Sequence, residues 1–396
     1  MSIKNQDELK KFTDEIRSKS GYKDPFAFAI GRVQKGKGGK TISVNYSVVN
    51  FKENYGSAAV LTWAIEKNGL KIDFSDTEFT VPLTAPAISD ALEVFDFLVP
   101  QSEGDKHRNI QNLLVLDEIL NEENGSESEF VVTFIYEDAA PKSVESVYLK
   151  LYLLSLNKVE IRSINLNGAF GILPNLAWDA HSQPYELDYL RENEIWLKMK
   201  GWYPNIISVD KFPRYLSHII PADNTRILDS AKVRMGAQLA PGTTVMPGAA
   251  YINFNSGTTG AVMVEGRVSS CVSVGEGSDV GGGASILGVL SGTNGNAISV
   301  GKKCLLGANS VTGVPLGDDC IVDAGVAILE GTKVFIDEKN RYELAKINPD
   351  FKFEKEIYKA LELSGLNGLH YRQNSQNGQI TASISKRAIK LNADLH

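Results

Sequence analysis

Between Ile227 and Val334, aliphatic residues return at every sixth position. One run is Ile227, Val233, Leu239 and Val245, with Tyr251 in the next slot. A second is Val262, Val268, Val274, Val280 and Ile286. Val300 and Leu306 make a third, and Leu316, Val322, Ile328 and Val334 a fourth. Glycine and other turn formers fill the gaps, as in Pro241-Gly242, Gly275-Glu276-Gly277, Gly281-Gly282-Gly283 and Gly317-Asp318-Asp319. A period of six fits neither a helix, at about 3.6 residues per turn, nor a hairpin sheet, at about 2. It fits a solenoid of hexapeptides, in which three short strands and three turns close one coil and the aliphatic residue points inward. The phase slips between Tyr251 and Val262, between Ile286 and Val300, and between Leu306 and Leu316. Slips of this kind mark loops that leave a coil, and such loops tend to carry the binding face. A Gly-rich antiparallel sandwich is the competing fold, and four runs in phase argue against it.

The rest of the chain sets the frame. With 396 residues, 43% of them apolar, it can hold two or three packed units. The formal net charge of −7 leaves no broad nucleic-acid footprint. The three cysteines, Cys271, Cys304 and Cys320, all fall inside the repeat without a C-x-x-C pair. They read as small core or turn residues of a reducing compartment rather than a disulfide frame or thiolate metal site. The polar N-terminus and the lack of an 18-residue apolar run point to a soluble cytoplasmic protein without a membrane partner.

Before the repeat, the patterning is mixed. Asn5 and Glu8 have capping-box spacing ahead of a Leu9, Phe12, Ile16 stripe, with Ser20-Gly21 as the stop. Thr41 to Val49 alternates like a half-buried strand. Ser57 is placed to cap a helix through Ala58 to Asn68, and Ser89 one through Val94, Phe95 and Leu98. Glu129 to Tyr136 reads as a strand, Val144 to Leu154 as a helix, and Pro184 as the start of a last helix ending at Lys200-Gly201. The Lys35–Lys40 run lacks phosphate-loop spacing and reads as a solvated turn. His107, His181 and His218 read as surface or hydrogen-bonded histidines. After the repeat, Lys355 to Leu363 reads as a helix. Leu369–Asn374 and Gln379–Ser385 flank Asn377-Gly378 as a hairpin that caps the solenoid. The expected architecture is an α+β N-terminal domain over residues 1–225, a left-handed parallel β-helix over 226–336, and a helix and β-hairpin cap over 337–396.

A hexapeptide solenoid is most often an acyltransferase scaffold, but fold alone does not give function. Several enzymes on it depend on histidine, as zinc ligand or as base, and Ile227 to Val334 contains none. A base here has to be a carboxylate or another group. Most acidic residues of the repeat sit beside glycine in turns. Glu265 differs, lying in Met263-Val264-Glu265-Gly266-Arg267 just after the first slip. If both residues lie on one strand, they share a face, and an acid then stands beside a cation able to hold a substrate carboxylate. A plain surface ion pair is the alternative.

Several blocks together are specific. Ala240 to Pro247, Asn253-Phe254-Asn255, Met263 to Arg267, Gly277 to Ser285, Cys304 to Asn309 and Leu316 to Cys320 closely resemble the tetrahydrodipicolinate N-succinyltransferase family in its longer-chain form. The resemblance is dense from Arg226 to Gly331, resumes from Lys359 to Ser375, and is weaker over residues 1–220. It implies succinyl transfer from succinyl-CoA to the amino group of ring-opened tetrahydrodipicolinate, in lysine and diaminopimelate biosynthesis. It also implies a homotrimer with active sites between neighbouring prisms. The family's catalytic glutamate falls on Glu265, as acyl-anhydride nucleophile or as general base. Its succinyl-CoA contacts fall on Arg267, Gly282, Ser285, Ala308, Asp323, Ala324, Gly331, Lys359, Arg372, Gln373, Asn374 and Ser375.

Three departures stand out. Asp323 takes a position where relatives often have glutamate, and Gln373 replaces a second basic residue after Arg372. Lys232 and Ala249 stand where some members place the acidic ligands of an axial magnesium, so no metal is expected. A hexapeptide acyltransferase using acetyl-CoA or another amine, and a non-catalytic solenoid assembly protein, are the alternatives to the succinyltransferase.

Overall fold

The computed structural model describes residues 3–122, 129–289, 293, 295–386 and 391. The chain forms two compact units, Met1–Leu153 with Ile164–Pro213, and Leu154–Ser163 with Arg214–His396.

The first unit is built on a four-stranded antiparallel sheet in the order Thr41–Phe51, Ala27–Lys35, Phe130–Ile135, Glu78–Pro82. Helices Gln6–Arg17, Tyr55–Lys67, Ala85–Phe95 and Arg108–Asn121 pack an apolar core against it through Phe28, Leu61, Ile65, Ile88, Leu113 and Phe134. The expected cap forms at Asn5, but not as a reciprocal box: the Glu8 N–H donates to Asn5 Oδ1 at 3.0 Å, while the Glu8 carboxylate accepts from the Lys4 N–H at 2.9 Å, one residue before the cap. The two serine caps do not form. The second helix starts earlier, after Asn54, which adopts the left-handed region at φ 55°; the third starts after Thr84, with Pro86 in its first turn. Proline there fixes a helical φ without removing a needed donor, so it outcompetes Ser89 as the starting signal. Pro184 opens a strand, Pro184–Glu186, and helices follow at Leu187–Glu192 and Glu194–Lys200. The Lys35–Lys40 run is the turn between the first two strands, closed by the Gly36 N–H donating to Lys40 O at 2.8 Å. Lys150 is fully buried, and its ammonium donates to Asp138 Oδ1, Ala139 O and Asn165 O at 2.7, 2.6 and 2.7 Å.

The second unit contains the solenoid. Successive two-residue strands fall on three faces. The first face stacks Arg226–Ile227, Thr244–Val245, Met263–Val264, Asp279–Val280, Leu305–Leu306 and Ile321–Val322 in parallel. The second stacks Tyr251–Ile252, Arg267–Val268, Ser285–Ile286, Val311–Thr312 and Ala327–Ile328. The third stacks Gly257–Thr258, Ser273–Val274 and Ser299–Val300, with Leu316 bridged beyond Val300. The aliphatic residues of the hexapeptide runs from Val233 to Val334 are buried, Tyr251 excepted. Tyr251 is half-exposed, and Ile252 fills its inward slot. Two further slots hold threonines, Thr258 and Thr312, whose hydroxyls are satisfied internally: Thr258 Oγ1 lies 2.6 Å from Thr243 Oγ1, and Thr312 Oγ1 donates to Val314 O at 2.9 Å. Cys304 and Cys320 lie inside adjacent coils as free buried thiols; Cys271 is also free, half-buried in a turn at φ 63°. A strap from the 154–163 segment lies on this unit, with Arg162 Nη2 donating to Ser299 Oγ at 3.0 Å and Asn157 Nδ2 to Leu239 O at 3.0 Å.

The tail continues the first face. Strand Leu369–Gln373 adds in parallel to Ile321–Val322, Ile380–Ile384 pairs antiparallel with it, and Lys333–Phe335 and Ile357–Lys359 complete the edge. The expected helix over Lys355–Leu363 is instead that last strand followed by a 3-10 turn, Ala360–Leu363. A helix the periodicity did not reveal, Glu338–Ile347, is capped by Asp337, whose Oδ1 accepts the Asn340 N–H at 2.8 Å. Among the described residues no helix is long and apolar enough to cross a membrane.

Candidate active site along one edge of the prism

Most corners of the prism take six residues from one inward position to the next. The corner from Val264 to Val268 takes four. Glu265 and Gly266 make that tight turn. A Cβ on Gly266 would collide with Ala284 O of the next coil, so only glycine closes the corner. The shortening places Glu265 and Arg267 on different faces: Glu265 follows a strand of the first face and Arg267 opens a strand of the second. They do not share a strand, as their spacing had suggested, and they form no ion pair. The Glu265 backbone is fixed by its N–H donating to Val280 O at 2.8 Å. Its half-buried carboxylate has no hydrogen-bond or ion-pair partner among the described residues. Exposed Arg267 is equally uncommitted.

The sequence-derived residues line one edge above this corner. Gly282 lies in the next coil, where an added Cβ would stand 3.7 Å from Glu265 Oε2. Ala308 and Ala324 follow at the same corner of the succeeding coils, both exposed. With strands about 4.8 Å apart, Ala324 lies about 14 Å from Glu265 along the axis. Ser285 pairs in register with Arg267. Its Oγ is buried without a partner, an orphan hydroxyl beside a free guanidinium.

One coil further, the edge is built by the tail. Asp323 meets His370 Nε2 at 2.7 Å through Oδ1 and Arg372 Nε at 3.2 Å through Oδ2. Arg372 Nε is also 3.1 Å from His370 Nε2. A nitrogen 2.7 Å from a carboxylate oxygen must carry the proton, so His370 donates from Nε2 and Arg372 donates to the carboxylate. The shorter aspartate anchors an imidazole and a guanidinium together. The absence of histidine from the repeat hid His370, because a strand distant in sequence supplies it. The spacing His370–Arg372, two apart on a predicted strand, was the available signal. Gln373, Asn374 and Ser375 lead into the hairpin turn, where the Asn374 N–H donates to Gln379 O at 2.9 Å. Gly331, exposed with open space around it, and Lys359, also exposed, lie at the far end. Every sequence-derived site residue falls in the second unit. Glu265, Gly282, Ala308, Asp323 and Ala324 share the corner between the first two faces, and Arg267 and Ser285 open the strands that follow it. Arg372 to Ser375 belong to the tail strand stacked on the first face and to its turn, and Gly331 and Lys359 lie beyond the second-face strand Ala327–Ile328.

That edge fits an acyl-CoA: small residues leave room for a narrow arm, an orphan hydroxyl and free cations offer donors, and the carboxylate stands at one end. Lys232, by contrast, donates to Gly248 O at 2.6 Å. No group of three or more His, Cys, Asp or Glu arranged for a metal occurs among the described residues.

Hexapeptide coils closing a three-sided prism, with a lone carboxylate at a shortened corner, define a hexapeptide-repeat acyltransferase. Family models agree: residues 7–171 match the N-terminal domain of tetrahydrodipicolinate N-succinyltransferase, 173–214 its middle domain, and 297–330 the hexapeptide repeat of succinyl-transferase. The chain is 58% identical over 384 residues to a 2,3,4,5-tetrahydropyridine-2,6-dicarboxylate N-succinyltransferase of Campylobacter jejuni, covering 96% of this chain and 97% of that one. It is 54% identical over 398 residues to a protein of the same description from Sulfurovum sp., covering 100% and 99%. A crystal structure from Campylobacter jejuni, described as a 2,3,4,5-tetrahydropyridine-2-carboxylate N-succinyltransferase, is 55% identical and matches with a TM-score of 0.91 over 98% of this chain and 100% of that one. The chain belongs to the tetrahydrodipicolinate N-succinyltransferase family, and its solenoid is the left-handed β-helix of that fold.

Proposed function

We propose that this enzyme transfers succinyl from succinyl-CoA to the amino group of ring-opened tetrahydrodipicolinate, a step of lysine and diaminopimelate biosynthesis. The observation that carries the chemistry is the unengaged carboxylate of Glu265 at the foot of an edge shaped for an acyl-CoA. Succinyl-CoA supplies an activated acyl carbon. Glu265 takes the proton of the attacking amine as the new C–N bond forms; the thioester C–S bond then breaks, and the CoA thiolate leaves, taking up the proton held by Glu265. Arg267 holds the carboxylate of the succinyl group, for which a planar guanidinium is suited. Ser285 offers its unpartnered hydroxyl beside Arg267, and Gly282, Ala308 and Ala324 leave space along the edge. Asp323, His370 and Arg372, with Gln373, Asn374, Ser375, Gly331 and Lys359 beyond, hold the nucleotide end. The chemistry belongs to residues 226–336 and their cap at 337–396, with 1–225 as the N-terminal domain apart from its 154–163 strap and the stretch from Arg214, which pack with the solenoid. The working form is a cytoplasmic homotrimer with sites at the seams between prisms and no metal. Membership of the family supports these readings.

Thiol release by the purified chain tests the proposal, with succinyl-CoA and acetyl-CoA each offered with and without the cyclic dicarboxylate. Acceptor-dependent release with succinyl-CoA, well above that with acetyl-CoA, is expected. Preference for acetyl-CoA would replace the acyl donor, and no release from either would leave an assembly protein.

A further inference from the structure

The edge ends in a pair of strands that place a further residue among the site residues. Lys333 lies directly opposite Lys359 across the antiparallel pair Lys333–Phe335 and Ile357–Lys359, and Phe335 lies directly opposite Ile357. Opposed residues share a face, and so do residues two apart on a strand, so these four side chains project from one side. The intervening Val334 and Tyr358 are buried, which makes that side the outer one. On the other flank Val334 pairs in parallel with Ile380, which sets Lys333 beside Gln379, the residue whose carbonyl accepts the Asn374 N–H at 2.9 Å. Lys333 therefore stands between Lys359 and the turn carrying Asn374.

Like charges directly opposed across a sheet repel. Neither ammonium has a hydrogen-bond or ion-pair partner among the described residues. Glu362, the carboxylate close to Lys359, is engaged by Lys355 Nζ at 2.7 Å and by the Lys359 N–H at 2.8 Å. A dianion between the two lysines converts repulsion into two charge-assisted hydrogen bonds. Beside them, half-buried Phe335 and Ile357, 50% exposed, form an apolar shelf. An apolar shelf next to a cationic pair suits a purine bearing a phosphate, because any base can rest its flat face on an aromatic or aliphatic surface.

We infer that Lys333, together with Lys359, binds the 3′-phosphate of the CoA nucleotide, with its adenine on Phe335 and Ile357. This rests on the proposed use of succinyl-CoA. The phosphomonoester is chosen over the diphosphate because the two lysines stand directly opposite each other across the strand pair and the monoester carries both its charges on one phosphorus.

Calorimetric titration of the full chain with adenosine 3′,5′-bisphosphate and with adenosine 5′-monophosphate tests the inference without turnover. The bisphosphate binds about tenfold tighter to the unaltered chain, the scale of one charge-assisted contact. Lys333→Gln removes most of that preference, and Lys333→Arg keeps it, with thermal unfolding confirming that both variants fold. In kinetics, Lys333→Gln raises KM for succinyl-CoA with kcat nearly held, and the rise vanishes with the 3′-dephospho co-substrate. An unaltered chain with no preference for the bisphosphate, a Lys333→Gln variant that retains it, or a KM rise equal for both co-substrates overturns the inference. A chain that shows the preference but never turns over succinyl-CoA sinks the functional reading and leaves this one standing.

Discussion

Glu265 is held by its backbone and left free at its carboxylate, which is what a proton acceptor requires. Glu265→Gln keeps the shape and removes the basicity. Turnover in the thiol-release assay should fall at least about a hundredfold, with KM for succinyl-CoA little changed. Unaltered turnover would remove Glu265 from the chemistry. A second residue-scale prediction concerns His218, whose imidazole is pushed down to about 4 by burial. Its folded pKa lies below its unfolded value near 6.5, so the unfolded chain takes up the proton first as pH falls. Its contribution is whole above pH 6.5 and is lost as pH drops towards 4, by at most about 3 kcal/mol. Urea midpoints between pH 7 and 4.5 should fall less steeply for His218→Gln than for the unaltered protein; parallel slopes would refute this. At this scale the sequence was partly legible. Glu265 stood out because it reads as an acid outside the glycine turns, yet it and Gly266 form a tight corner. That reading and its relation to Arg267 were both mistaken, because nothing in the spacing announces a corner two residues short. His370 and Lys333 were hidden for a shared reason: strand register, not sequence proximity, makes them neighbours of Asp323 and Lys359.

Among the elements, the coils were readable because burial enforces them: an inward slot every six residues must be filled, and aliphatic side chains fill nearly all. The slips before Val262 and before Leu316 have two causes. Thr258 and Thr312 occupy inward slots while looking polar, and the corners at Val264–Val268 and Thr312–Leu316 are short. The coils also explain their glycines. An added Cβ on Gly275 would lie 2.6 Å from both the carbonyl carbon and oxygen of Gly301 in the coil above. Backbone cannot step aside as a side chain does, so Gly275→Ala should destabilise the protein by about 3 kcal/mol. A drop in urea midpoint at constant m-value would show it, and a midpoint equal to that of the unaltered chain would mean the stack tolerates expansion there. The elements that escaped sequence reading are those set by context. Ile357–Lys359 is a strand because Lys333–Phe335 offers it an edge, not because its residues alternate cleanly.

At the scale of the whole molecule, charge is unevenly spread. The chain carries a net charge of −7. Yet the edge proposed for the co-substrate presents Arg267, Lys333, Lys359 and Arg372, and of these only Arg372 has a carboxylate partner among the described residues. A polyanionic co-substrate approaching an acidic protein is repelled at long range and captured locally, so its binding depends on how far those local fields reach. The screening length is about 10 Å at 0.1 M salt and about 3 Å at 1 M. Over that range KM for succinyl-CoA should rise several-fold while kcat changes little, because salt weakens attraction at the edge without touching the proton transfer at Glu265. Succinyl-pantetheine, which carries the arm and thioester without the nucleotide, should show a higher KM that barely responds to salt. Steady-state kinetics with the two donors across a salt series decides the matter. If both donors respond alike, the salt acts on assembly or folding, and the cations of the edge are not what holds the nucleotide.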